Sequence, residues 1–235
     1  MSTAPKPMSK TEVAETLRRR ILAMELKPSQ LLDEVALANA FGISRTPMRE
    51  VIQRLAGEGY LEIEANRGAK VAPMDLATMR HFFQAAPMIY SAAARLAAEN
   101  ATPAQLDELR AIQARIRDAV ERGDSPAAAI HNHAFHAFVG EMAQSPYLLP
   151  SLGRLLIDHT RLSQRFYKPA DAAETDSIRT AVDQHDAMIT AFAAHDAAAA
   201  VALTVEHWNL SRHRIEQFVT PDPLPFELED LSHAV

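Results

Sequence analysis

Asp33-Glu34-Val35-Ala36-Leu37-Ala38-Asn39-Ala40-Phe41-Gly42-Ile43-Ser44-Arg45-Thr46-Pro47-Met48-Arg49-Glu50-Val51-Ile52-Gln53-Arg54-Leu55 is the stretch whose reading decides the fold. Asp33 opens a short helix carrying Val35, Leu37, Ala38 and Phe41, and Gly42 is suited to stop it. Ser44 is a good N-cap for the next helix, Thr46-Pro47 begins its first turn, and Met48, Val51, Ile52 and Leu55 line one apolar face. Upstream, Val13, Leu17, Ile21 and Leu22 recur at helical spacing over residues 11–23, and Lys27-Pro28-Ser29 interrupts the pattern. Downstream, Tyr60-Leu61-Glu62-Ile63-Glu64 alternates apolar and polar, Ala65-Asn66-Arg67-Gly68 reads as a turn, and Ala69-Lys70-Val71-Ala72 as a returning strand. Three small helices followed by a β-wing make a winged helix-turn-helix, with the Ser44–Glu58 helix as the major-groove reader.

Arg45 and Arg49 are four apart, so both lie on one face of that helix near its N-terminus, the end such proteins present to base edges. Arginine pairs bidentately with guanine or grips phosphate. Ser44 and Thr46 add hydroxyl donors suited to the backbone, and Arg67 and Lys70 on the wing are placed to reach an adjacent groove or phosphates.

After Pro73 the chain becomes long Ala- and Leu-rich amphipathic segments, which predict helices at 75–100, 103–122, 125–143, 146–167, 174–194 and 197–219, with Pro87 kinking the first. The chain is thus expected to be mainly α. Its parts are a DNA-binding domain at 8–73, an all-helical effector-binding and dimerisation bundle at 74–220, and a proline-rich tail at 221–235. Residues 1–73 hold 11 Lys/Arg against 9 Asp/Glu and the remainder 13 against 21, so the two parts differ in sign of charge and are suited to different partners. The absence of cysteine among 235 residues excludes disulfides, Cys-ligated zinc and thiol catalysis. No signal-like leader or long apolar run is present, and a cytoplasmic protein without a membrane segment is expected.

Among ten histidines, four polar residues of the bundle have informative spacing. Asn132 and His136 are one turn apart on one helix face. His185 and His207 are 22 apart with a break at His195-Asp196 midway, so an antiparallel hairpin brings them level. Apolar neighbours such as Phe135, Met188 and Ile189 place them near the core. Three neutral imidazoles and a side-chain oxygen suit a divalent ion, Zn²⁺ or Ni²⁺. His131, His133, His159 and His213 are left as surface residues or as supports of the ligands. An enzymatic metal site would need a general base, but Asp186 beside His185 and Glu206 beside His207 point about 100° away from them.

The segments Leu31 to Ala38, Phe41 to Glu50, Leu55 to Tyr60 and Arg67 to Val71 resemble the GntR family of bacterial transcription regulators, above all in Ser-Arg-Thr-Pro-Met-Arg-Glu. Where some relatives carry a further DNA-contacting Arg, this sequence has Val35. Asn132-His133-Ala134-Phe135-His136, Gln184-His185-Asp186 and Glu206-His207-Trp208 are similar to the FCD branch, whose bundle often holds a metal. Many members have Asp at the position of Asn132, and an Arg and a Glu where Ala86 and Tyr90 stand here; Arg161 and Arg165 are the nearest substitutes for reading a carboxylate effector. The resemblance implies a homodimeric, operator-binding repressor that senses a small organic acid at or near the metal, and no enzyme. The alternative is a metal-free regulator of an apolar ligand.

Overall fold

The computed structural model describes residues 8–64 and 68–219, the side chains of 213–219 excepted. The local signals in the first third are realised as α1 (Lys10–Leu22), β1 (Leu31–Leu32), α2 (Glu34–Phe41), α3 (Arg45–Gly57), β2 (Leu61–Glu64) and β3 (Gly68–Val71). Asp33 caps α2 by accepting from the Val35 and Ala36 amides. Gly42 ends that helix in the left-handed region at φ 67°, which a residue without Cβ adopts at no steric cost. Ser44 occupies the N-cap of α3 but makes no side-chain capping bond. One strand was not anticipated: Leu31–Leu32 pairs antiparallel with Lys70 and Ala69, giving a three-stranded sheet of order β1-β3-β2.

Val13, Leu17 and Ile21 of α1 pack on Met48, Ile52 and Leu55 of α3 and on Leu61 and Val71 of the wing, all essentially buried. Each such side chain contributes roughly 1.5–3 kcal/mol of transfer free energy. Ile157 from the second half of the chain is fully buried in this same core.

Residues 72–75 connect β3 to α4 (Leu76–Asn100), followed by α5 (Pro103–Glu121), α6 (Ser125–Met142), α7 (Leu148–Phe166), α8 (Ala172–Ala193) and α9 (Ala197–Val219). Asp75, Thr102, Asp124 and Asp171 cap α4, α5, α6 and α8 through their side chains, and α4 runs as one helix through Pro87. Helix α4 packs on α9, α6 and α7, and α5 on α6 and α8. Leu109, Ile116, Phe135, Met142 and Phe192 fill the centre. No helix among the described residues is long and apolar enough to cross a membrane. The expected tail at 221–235 lies outside the described residues.

Candidate metal centre and DNA-reading face

Helices α6, α8 and α9 bring His136, His185 and His207 together, with one ligand nitrogen from each lying within 4.8 Å of the others. The turn between α8 and α9 sets the last two level, and their Nε2 atoms are 3.3 Å apart. Each of these rings is anchored from behind: Gln113 Oε1 stands 3.1 Å from His185 Nδ1, and Gln184 Oε1 3.1 Å from His207 Nδ1. An amide oxygen accepts a hydrogen bond donated by Nδ1–H, which leaves the Nε2 lone pair for an ion. Phe135 stacks on His185 with ring centroids 4.1 Å apart and fixes its plane.

Burial holds all three imidazoles neutral. It pushes His136 and His185 well below the usual histidine value, with the neighbouring histidines adding to the effect, and His207 down to about 4. Neutral imidazole is the ligating form. Asn132, one turn before His136, is buried, and its Oδ1 and the Nε2 of His136 have no hydrogen-bond partner. Such atoms are costly to leave orphaned, and an ion among the four side chains would satisfy both. The donor set of one amide oxygen and three imidazole nitrogens fits a divalent metal.

Around this centre stand groups the spacing did not reveal. Tyr90 of α4 is within hydrogen-bond distance of His159 Nδ1 on α7, and burial pushes that histidine down to about 3. Both rings lie 5.3–5.6 Å from His136, and the Trp208 ring stands 6.0 Å from Tyr90 and 6.3 Å from His159. His133 Nδ1 is 2.8 Å from Thr160 Oγ1. Beside His136 and Tyr90 the bundle leaves a cavity of about 10 Å³, room for about one water. Asp186 turns outward to Arg117 and Glu206 is exposed, so neither faces the centre.

The expectation that Arg161 reads an effector is corrected by its position. Its side chain is buried at the junction of the two halves, where it donates to Ala72 O at 2.7 Å and Pro73 O at 3.2 Å and pairs with Asp158. Arg165, one turn on, is exposed on α7.

On the other half, Ser44, Arg45, Thr46 and Arg49 are all exposed at the start of α3. The Arg49 guanidinium rests 3.5 Å from Glu34 at the start of α2. Lys70 Nζ lies between Glu64 at 2.6 Å and Glu62 at 3.3 Å, and those contacts raise its affinity for a proton. Arg67 lies outside the described residues.

The chain is 32% identical over 89 residues to the Nta operon transcriptional regulator of Aminobacter aminovorans, a stretch covering 38% of this chain and 42% of that protein. It is 24% identical to the regulator LutR of Bacillus subtilis over 78% of this chain and 90% of that one. With the first curated relatives it matches, the chain spans about half of their length. The solved structure of E. coli McbR/YncC superposes with a TM-score of 0.76 at 21% identity, covering 91% of this chain and 100% of that one, and so shares the fold. The description of bacterial regulatory proteins of the gntR family matches residues 9–71, and that of the FCD domain matches residues 81–210, more than half of the chain. The chain belongs to the gntR family of bacterial regulatory proteins and carries an FCD domain behind its winged head.

Proposed function

We propose that this chain is a homodimeric transcriptional repressor which reads an operator through Ser44, Arg45, Thr46 and Arg49, with wing support from Arg67 and Lys70, and senses an organic acid at a divalent ion. Asn132, His136, His185 and His207 would hold the ion, zinc or nickel. The observation that carries the sensing half is the pair of buried, unpartnered atoms, Asn132 Oδ1 and His136 Nε2, beside two Nε2 atoms backed by glutamines. When bound, the ion supplies a Lewis-acidic anchor for a carboxylate. The chain's own residues orient that anchor, exclude water from it and keep the imidazoles unprotonated.

The exposed arginines of α3 support the reading half, because base edges need donors that project from a helix start. A twofold dimer doubles the contact with a palindromic site. The tightness of the cavity supports a second reading, in which the ion is a structural part of the bundle and an acid does not bind beside it.

Elemental analysis of the purified chain tests the site. About one zinc or nickel per chain, lost in His136→Ala, is expected for a site of this donor set. No metal in either protein overturns the ligand assignment. A thermal shift of the zinc-loaded chain on adding citrate supports the acid sensor, and no shift supports the structural ion. Selection of bound duplexes from random DNA tests the reading head, and a failure to enrich any sequence overturns it.

A further inference from the structure

Helix α7 carries four consecutive buried polar residues, Asp158, His159, Thr160 and Arg161, which is unusual because charged side chains seldom leave water unless paired. Their directions explain it. Ile157 enters the core of the reading head, Arg161 grips the Ala72 and Pro73 carbonyls, and Gln164 Nε2 donates to Leu22 O at the end of α1, 3.0 Å away. These positions recur at helical spacing and make one face of α7. Asp158 stands beside that face, pairing with Arg161 and, at 2.9 Å, with Arg154 Nη1. The opposite face carries His159, whose ring lies 5.6 Å from that of His136. One helix therefore has the metal centre on one side and the reading head on the other.

We propose that Asp158 and Arg161 are positioning residues, a clasp through which the state of the metal centre sets the placement of the reading head. The inference rests on the proposed metal site. Three features favour it. The cavity beside His136 holds about one water and is walled by Tyr90 and by Leu152 of α7, so a change there displaces Tyr90, which is bonded to His159, or Leu152, and both Leu152 and His159 move with α7. Residues 72–75 are the whole connection between β3 and α4, so a clasp on Ala72 and Pro73 acts on the wing without slack. Clefts of about 490 and 460 Å³ flank the contact, sharing Tyr60 and His133, and leave the head space to turn about α7.

The chain has no cysteine, so Asn39→Cys in the head and Arg110→Cys in the bundle, both exposed, take nitroxide labels at chosen positions only. Pulsed dipolar spectroscopy on labelled full-length chain diluted into unlabelled chain reads the head-to-bundle distance, with and without zinc. The test variant is Asp158→Leu with Arg161→Met, which removes both charges together so that neither is left buried alone. Circular dichroism and zinc stoichiometry check that the variant is folded and loaded, and Arg161→Lys serves as a second, milder variant.

The expected result is a distance that shifts with zinc in the parent, and a broader, zinc-indifferent distribution in the double variant with zinc stoichiometry retained. A parent that binds zinc without a shift, or variants that respond as the parent does, overturns the clasp while the metal site stands. If the parent binds no zinc, the metal reading fails by itself, and the metal-free distributions decide: a broader one in the double variant retains the clasp, and identical ones overturn it.

Discussion

Gln113 holds His185 from behind: its Oε1 lies 3.1 Å from His185 Nδ1, while its Nε2 donates to the Val182 carbonyl at 2.7 Å. A side chain tied at both ends fixes which nitrogen of the imidazole faces the centre. Gln113→Leu is expected to lower zinc affinity about 10–100-fold with the stoichiometry kept, as for outer supports of metal-bound histidines. Competition against a fluorescent chelator measures it, and an unchanged affinity would show that Gln113 plays no supporting part.

Arg49 and Lys70 have contrasting proposed roles on DNA and predict contrasting losses. Arg49→Ala is expected to abolish discrimination between the selected duplex and random DNA, with helicity and metal content unchanged. Lys70→Ala is expected to weaken both kinds of DNA alike and to reduce the salt slope by about 1, the signature of one lost phosphate contact. Fluorescence anisotropy over a salt series separates the two, and selective binding kept by Arg49→Ala would sink the reader assignment.

Gly59 sits where the head meets α7, with φ at 89° and a Cβ position only 2.3 Å from Arg154 Cδ. Arg154 is itself held by Asp158, so it yields reluctantly. Gly59→Ala is expected to destabilise the chain by about 1–3 kcal/mol through left-handed strain and this collision. Urea unfolding reads the change in midpoint; a neutral result would mean that Arg154 swings away freely.

Glu58 gives a pH-dependent contribution to the head. Burial pushes its carboxyl up, yet hydrogen bonds from Arg18 of α1 and Arg54 of α3 outweigh that and leave it below its usual 4.5. As the pH falls, the unfolded chain therefore takes up this proton first. The stability from Glu58 is complete above its usual value and is lost as the pH falls through the lower folded-state value. Thermal melts between neutral pH and pH 3 should fall less steeply for Glu58→Gln than for the parent; parallel curves would remove Glu58 from the acid response.

Helix starts, the wing and the shared exposed face of Arg45 and Arg49 were legible because caps, breaks and spacing four apart are local signals. The Asn132–His136 pair is legible for the same reason, and His185 and His207 because they are equidistant from a recognisable break. Gln113, Tyr90 and His159 were not. Their contacts join residues 72 and 69 positions apart on different helices, and nothing in local spacing selects one such pairing over another. Arg161 looked like a solvated or ligand-facing charge. Only its bond to a carbonyl 89 residues earlier shows otherwise. Leu31–Leu32 is too short for alternation to be seen, and its strand exists because β3 offers it an edge.

The sheet order β1-β3-β2 has a mechanical consequence. The strand that leads into the connection at Ala72 is the middle one, flanked on one side by the residues just before α2 and on the other by those just after α3. A tug on an edge strand would peel it from its single neighbour. A tug on this strand is shared across two backbone ladders, so the wing, α2 and α3 travel as one slab and their hold on a DNA groove is tilted without being dismantled.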